Sequence, residues 1–384
     1  MSRPKKSKAV PVVTAVFILI AALAVICFLI NPLVIKPQRD AIREADARAK
    51  AEVDEANELA EIEYQKELSE LESKRNNPTY PDWPEPTKTE GLEVIDLSNI
   101  PLEHPKAETL YRSQLMYNGM LLVNPWHSRP ADFDESMVTS VNRAYGTGTK
   151  IAKDNNVMLL PAAIEALREV MAAAKEAGQE HYLVDEGFRS YAYQEEIFNK
   201  RMAKYSSKYN GDALEAAVLK EVNRPGCSEY NSGLSFDLRL YDKDDPDVAV
   251  PKYSTTAQAK WMNENCWRYG LVFRFPQNAW PLETSTDKSF KTGVSKHLNL
   301  YRYVGKGNAA IMHFMDFTME EYIEYLQEHP HIAVYEDGKL KYEIYRQVVG
   351  DQDPINVQVT ASAVNYESSL DNMGAVITVL YPKQ

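Results

Sequence analysis

An imidazole, a carboxylate and a guanidinium between Gly187 and Gly305 are the side chains best able to do chemistry. His297 carries the commonest metal-ligating group, and with Asp237 and one of Cys227, Glu229 or His313 it could build a metal set. Asp237 has a second reading, as an acceptor of backbone or Tyr hydrogen bonds. Arg189 follows Asp185 and Glu186 closely enough to pair with either, or else it faces a cleft as an anion binder, and the spacing leaves both open. The remaining imidazoles, His104, His127, His181, His329 and His331, show no metal spacing and read as surface or packing residues. Cys27, Cys227 and Cys266 are the only cysteines, too few for a disulfide-built scaffold or a multi-Cys zinc module. A bond between Cys227 and Cys266 needs Cα atoms within about 7 Å, which sequence does not establish.

The elements that must position these groups alternate. Residues 162–177 have helical spacing and end at Gly178, the favoured residue just past a helix. Residues 181–185 read as a strand, and a turn over 186–190 leads into a helix over 191–201. Helices follow at 213–223 and 256–269, strands at 235–240 and 271–275, and a last helix at 318–328 that Thr318 and Glu321 open as a capping box. Past Pro330 apolar and polar residues alternate around Asp337-Gly338, a strong hairpin signal, so residues 331–384 are expected to form a small β appendage.

The 384 residues suffice for two or three compact units, and the 44% hydrophobic content argues against wholesale disorder. A formal charge of −12 disfavours a phosphate backbone, so nucleic acid is not an expected partner. Residues 9–30 carry no charge and one hydroxyl, Thr14, and would span roughly 33 Å as a helix, close to the bilayer's hydrocarbon thickness. Arg3, Lys5, Lys6 and Lys8 form a basic end at 1–8, which predicts an uncleaved, single-pass anchor with the rest of the chain outside the cytoplasm. No small-x-small cleavage site follows at 31–35, against the alternative of a cleaved signal peptide. Cys27 lies inside this span as apolar filling. Residues 38–75 are Ala-, Glu-, Lys- and Arg-rich and helical, either a solvated single-helix stalk or a weak coiled-coil dimer. Pro78, Pro81, Pro84 and Pro86 then make 76–95 a stiff linker.

Five blocks carry a resemblance: LLVN at 121–124, GFRSYAYQ at 187–194, RPGCSEYNSGLSFDL at 224–238, YGLVFRFP at 269–276 and KTGVSKHLNLYRYVG at 291–305. In that order they resemble the zinc D-alanyl-D-alanine carboxypeptidases of the vancomycin-resistance type (VanY-like), related to the hedgehog/D-Ala-D-Ala peptidase superfold. The resemblance implies, for residues 96–330, an α+β fold with a small central antiparallel sheet and surrounding helices. It also implies a zinc held by His, Asp and His, with a Glu as general base and an Arg that binds the substrate's carboxylate or oxyanion. Carried onto this chain, Asp237 keeps one ligand position, Tyr230 and Leu300 stand at the two His positions, and His297 stands at the base position. Leucine has no lone pair and tyrosine is a poor zinc ligand near neutral pH, so no metal cofactor is expected. Arg189, Gln194 and Ser228 keep the peptide-binding side.

The expected protein is therefore a membrane-tethered, zinc-free pseudoenzyme of the bacterial wall that binds peptidoglycan stem peptides or a wall-synthesis partner. Two alternatives stand beside it: an active D,D-carboxypeptidase or peptidase with zinc in a rearranged site, and a protein-docking scaffold with no small ligand.

Overall fold

The computed structural model describes residues 9–30, 36–76, 91–146, 150–296 and 298–383. The basic end at 1–8, most of the Pro-rich linker and His297 lie outside the described residues. The chain divides into two compact units, residues 1–79 and 80–384.

The first unit is helical. Helix α1 (Ala9–Ile30) has 22 residues and no charged side chain. Its described side chains run from Thr14 to Val25, and among the described residues no helix is long and apolar enough to cross a membrane. The side chain of Cys27 lies outside them. Helix α2 (Lys36–Asn76) has 41 residues, about 60 Å at 1.5 Å per residue. Ile42, Val53, Leu59 and Ile62 on it are exposed, and pairs such as Arg48 with Glu44 and Gln65 with Glu61 lie one turn apart along it.

The second unit opens with β1 (Leu92–Asp96) and β2 (Pro105–Leu110), followed by α3 (Pro161–Glu176). Pro161 starts α3 without a lost hydrogen bond, and Ala163, Ile164, Leu167, Val170 and Ala174 form its buried stripe. Next come β3 (Tyr182–Glu186), α4 (Tyr191–Tyr205), α5 (Gly211–Leu219), β4 (Ser235–Leu240), α6 (Ala257–Asn265), β5 (Leu271–Phe273) and β6 (Leu300–Tyr303). The four strands pair antiparallel in the order β3-β4-β6-β5, which is the small central sheet expected. Register places Glu186 opposite Asp237, and Asp237 opposite Leu300. Three side chains of interest thus lie in one row across three strands.

Helices α7 (Lys306–Phe314) and α8 (Met319–Glu328) lead to β7 (His331–Glu336), β8 (Lys339–Val348), β9 (Ile355–Thr360), β10 (Ala363–Leu370) and β11 (Ala375–Pro382). Thr318 and Glu321 cap α8 reciprocally, and Asp337 and Gly338, at φ of 52° and 74°, turn β7 into β8 as their type predicts. Residues 331–384 share a core with what precedes them. The second sheet runs β1-β7-β8-β11-β10, β9 pairs with β2, and Ile332, Val334, Ile344 and Val379 pack in one cluster with Met120, Val304 and Tyr322. Both strands recruited from the segment before residue 111 make 331 an internal position of the unit.

A charged network sits inside this unit. Arg274, 1% exposed, donates to Glu229 (Nε to Oε2, 2.8 Å) and to both oxygens of Glu320 (2.7 and 3.0 Å). Arg302, fully buried, donates to Glu229 Oε1 and to the carbonyls of Gly119 and Leu121 at 2.6 and 2.9 Å. Ser235 and Asn124 complete it, donating to Glu229 and Glu320 at 2.7 and 2.9 Å. Burial opposes the charge on Glu229, but the two guanidinium groups win and hold its carboxyl below the ordinary range. Arg274→Met leaves two carboxylates buried with too few partners and is expected to cost about 3–5 kcal/mol of unfolding free energy. All five Trp lie beyond residue 80, so urea unfolding of the full chain, followed by Trp fluorescence, reads this unit alone. Lys291→Ala, which breaks an exposed pair with Glu324, should cost less than about 1 kcal/mol. Equal losses in the two variants would show that the network is not what holds the core.

Candidate functional site

The site is built where the end of β3 meets the turn before β4. Gly187 must be glycine, because a Cβ there would lie 2.5 Å from the Met158 carbonyl oxygen. The close passage sends the chain through Arg189 into α4, whose N-terminus Ser190 caps by accepting from the Tyr193 N–H at 3.1 Å. Two bonds tie this loop to the next: Arg189 N–H donates to the Tyr230 carbonyl at 3.0 Å, and Asn231 Nδ2 donates to the Arg189 carbonyl at 2.8 Å. Arg189 and Tyr230 are thereby held side by side.

The alternatives left open for Arg189 turn out to coexist. Its Nε and one terminal nitrogen make a bidentate pair with Glu186 at 2.6 and 2.7 Å, and the other terminal nitrogen reaches Gln194 Oε1 at 3.3 Å. Its guanidinium lies 3.9 Å from the ring centroid of Tyr230. At the same time it lines a cavity of about 310 Å³, together with Gln194, Ser228, Tyr230 and Lys296. The three residues assigned to peptide binding, Arg189, Gln194 and Ser228, are therefore gathered at one cavity. Leu219, Val222, Phe275, Val294 and Leu298 supply its apolar wall.

The positions assigned to metal have a different character. Tyr230, 6% exposed, donates its hydroxyl to Asp237 Oδ2 at 2.6 Å. Asp237 is thus held by a tyrosine, in line with its reading as a hydrogen-bond acceptor, and its other oxygen has no hydrogen-bond partner among the described residues. Leu300, fully buried, packs with Tyr230 and Phe275 and is flanked by Val294 and Leu298. Burial pushes the Tyr230 hydroxyl far above its ordinary value, so it stays protonated and keeps donating. These residues do not fit a zinc ion: one candidate donor is committed to Asp237, and the next is a hydrocarbon. The relocated metal set turns on His297, which lies outside the described residues. Glu229 belongs to the arginine network, His313 stacks on Trp267 at 5.0 Å, and among the described residues no three His, Cys, Asp or Glu side chains could hold a metal. Cys227 and Cys266 are both free, and burial pushes the Cys266 thiol up to about 12.

Sequence reasoning missed Lys296 and Phe275 in the cavity and all of the arginine network. Its one signal was the unusual arginine inside each of the apolar blocks VFRF and LYRYV.

With the geometry in hand, the comparisons are specific. The D-alanyl-D-alanine carboxypeptidase (VanY) family profile matches residues 156–290. The putative carboxypeptidase YodJ of Bacillus subtilis (strain 168) is 30% identical over 219 residues, which cover 57% of this chain and 72% of that protein. A D-alanyl-D-alanine carboxypeptidase of Enterococcus faecium is 27% identical over 286 residues, or 73% of this chain and 80% of that one. Among solved structures, the vancomycin-resistance D,D-dipeptidase VanXYg superposes with a TM-score of 0.54 at 22% identity, over 72% of this chain and 99% of that chain, a likeness of fold. The chain belongs to the VanY family of D-alanyl-D-alanine carboxypeptidases.

Asp237 makes the site sensitive to pH. Burial raises its pKa from an ordinary 3.8 to about 6, with the Glu186 and Asp185 charges adding and the Tyr230 hydrogen bond and Arg189 opposing. Between those values the folded chain binds more protons than the unfolded chain, so stability falls as pH rises from about 4 to 6. Asp237→Asn keeps an acceptor for Tyr230 and cannot ionise. It is expected to exceed wild type by on the order of 2 kcal/mol at pH 7.5 and to match it at pH 4, in urea unfolding. A difference that is the same at both pH values would refute the raised pKa.

Proposed function

We propose that this chain is a membrane-tethered, extracytoplasmic member of the D-alanyl-D-alanine carboxypeptidase family that binds peptidoglycan stem peptides without cleaving them. One observation carries the second half of that reading. At the positions where the family places zinc ligands, Tyr230 is bonded to Asp237 and Leu300 is packed against Phe275, while the peptide-side residues Arg189, Gln194 and Ser228 still line an open cavity. Without a metal-bound water the amide has no activated nucleophile, and the buried Tyr230 hydroxyl, held protonated, does not replace it. The relatives' names supply the ligand class: a peptide ending in D-Ala-D-Ala.

The full chain, purified in micelles, is expected to carry far less than one zinc per molecule and to release no D-Ala from a D-Ala-D-Ala peptide. Restoring one ligand should not suffice. The triple change Tyr230→His, His297→Glu and Leu300→His is expected to bring zinc back, since Asp237 completes the ligand set. Stoichiometric zinc in wild type, with activity that a chelator removes, would overturn the non-catalytic reading and favour the active peptidase.

The tether rests on the uncharged 22-residue run at 9–30 behind four basic residues. A reporter active only outside the cytoplasm, fused after Gln384, should be active, and the intact chain should stay with washed membranes. A mature protein that begins near residues 31–40 would refute the anchor.

A further inference from the structure

We infer that Lys296, rather than Arg189, reads the free carboxylate of the peptide that occupies the cavity; this rests on the stem-peptide reading above. Both cations line the same cavity of about 310 Å³, but they differ in what already neutralises them. Arg189 is spent on Glu186: two parallel bonds at 2.6 and 2.7 Å cancel its charge, Gln194 takes a third N–H, and the Tyr230 ring covers one face of the guanidinium. An incoming carboxylate would have to compete with Glu186 and would meet its repulsion at short range.

Lys296 has no such partner. Its ammonium donates to the backbone carbonyl of Glu221, which carries no formal charge. The Glu221 carboxylate is engaged elsewhere, accepting from the Tyr205 hydroxyl and pairing with Arg201 at 2.6 Å. Among the described residues no carboxylate lies within ion-pair distance of Lys296. Partial desolvation of its ammonium, and after it the Arg201 and Arg189 charges, holds its pKa below the ordinary lysine value, with the Glu221 charge opposing. Two protons of that ammonium remain to be given, and the lysine stem can swing them over the cavity mouth. Buried Gln194 and Ser228, 1% and 5% exposed, offer polar contacts deeper in, and the apolar wall of Leu219, Val222 and Phe275 suits a small side chain such as a methyl group. The ligand that fits is a short peptide with a small apolar C-terminal residue and a free C-terminal carboxylate. In this reading Arg189 is a positioning residue that fixes Tyr230 and Gln194.

The test is calorimetry on the full chain in micelles with two probes, a synthetic stem pentapeptide ending in D-Ala-D-Ala as the free acid and the same peptide amidated at its C-terminus. Wild type is expected to bind the acid roughly 10-fold or more tighter than the amide, as a charge-assisted hydrogen bond implies. Lys296→Met and Lys296→Gln should bring the two affinities within about 2-fold, while Lys296→Arg should keep the preference. Lys296 is exposed, so these variants should fold, and far-UV circular dichroism checks that they do. If the preference survives in Lys296→Met and Lys296→Gln, or if wild type has none while binding both peptides, the Lys296 assignment is wrong and the stem-peptide reading stands. If neither probe binds wild type at millimolar concentration, the stem-peptide reading itself falls.

Discussion

Two arginines without water are the constraint around which this fold is arranged. A guanidinium stripped of solvent costs several kcal/mol unless its charge and its N–H groups are matched, so Arg274 and Arg302 dictate what must surround them. Glu229 from the turn before β4, Glu320 from α8, and the carbonyls of Gly119 and Leu121 are all drawn to one point. Elements as far apart in sequence as residues 119 and 320 are tied there by directional bonds. The sheet order β3-β4-β6-β5 puts the strand that carries Arg302 at its middle, next to β4, so the network and the sheet specify each other.

This constraint extends into the cavity through one peptide bond. Glu229 is fixed by both arginines, so its neighbour Tyr230 has little freedom of direction. The Arg189 backbone, bonded to the Tyr230 carbonyl and to Asn231, removes what remains. Tyr230 then points at Asp237, and its ring becomes the surface on which the Arg189 guanidinium rests. The cavity wall is therefore an extension of the core, with Gln194 and Ser228 buried beside it, and rigid walls lower the ordering cost of any ligand that fits.

Much of the architecture was legible because it depends on local signals. The Thr318–Glu321 capping box, the Asp337-Gly338 turn and the stripe from Ala163 to Ala174 each act within a few residues, and each forms as its residue types require. What was not legible depends on long-range pairing. Strands β1 and β2 find their partners some 240 residues later, so residues 331–384 read as an appendage when they supply five of the seven strands of a shared sheet system. The site divides the same way. Register with the family blocks singled out Arg189, Gln194, Ser228, Tyr230, Asp237 and Leu300, which lie close together in the fold, but the bidentate Glu186 contact and the place of Lys296 in the cavity lining follow from side-chain directions that no spacing encodes.

The row from Glu186 through Asp237 to Leu300 must avoid both a void and an uncompensated carboxylate, and the residues here answer both problems. Asp237 is a buried carboxyl; the Tyr230 hydroxyl gives it one strong hydrogen bond and Arg189 an opposing charge, while burial raises its pKa to about 6. The volume is taken by Leu300 with Phe275, and burying a side chain of that size is worth about 1.5–3 kcal/mol. A hydrogen bond and a hydrocarbon contact thus support the row in which Asp237 on β4 lies opposite Leu300 on β6. The cavity stays open beside this packing because its polar lining comes from Arg189, Gln194 and Ser228, of which Arg189 and Gln194 are held by Glu186 and the backbone.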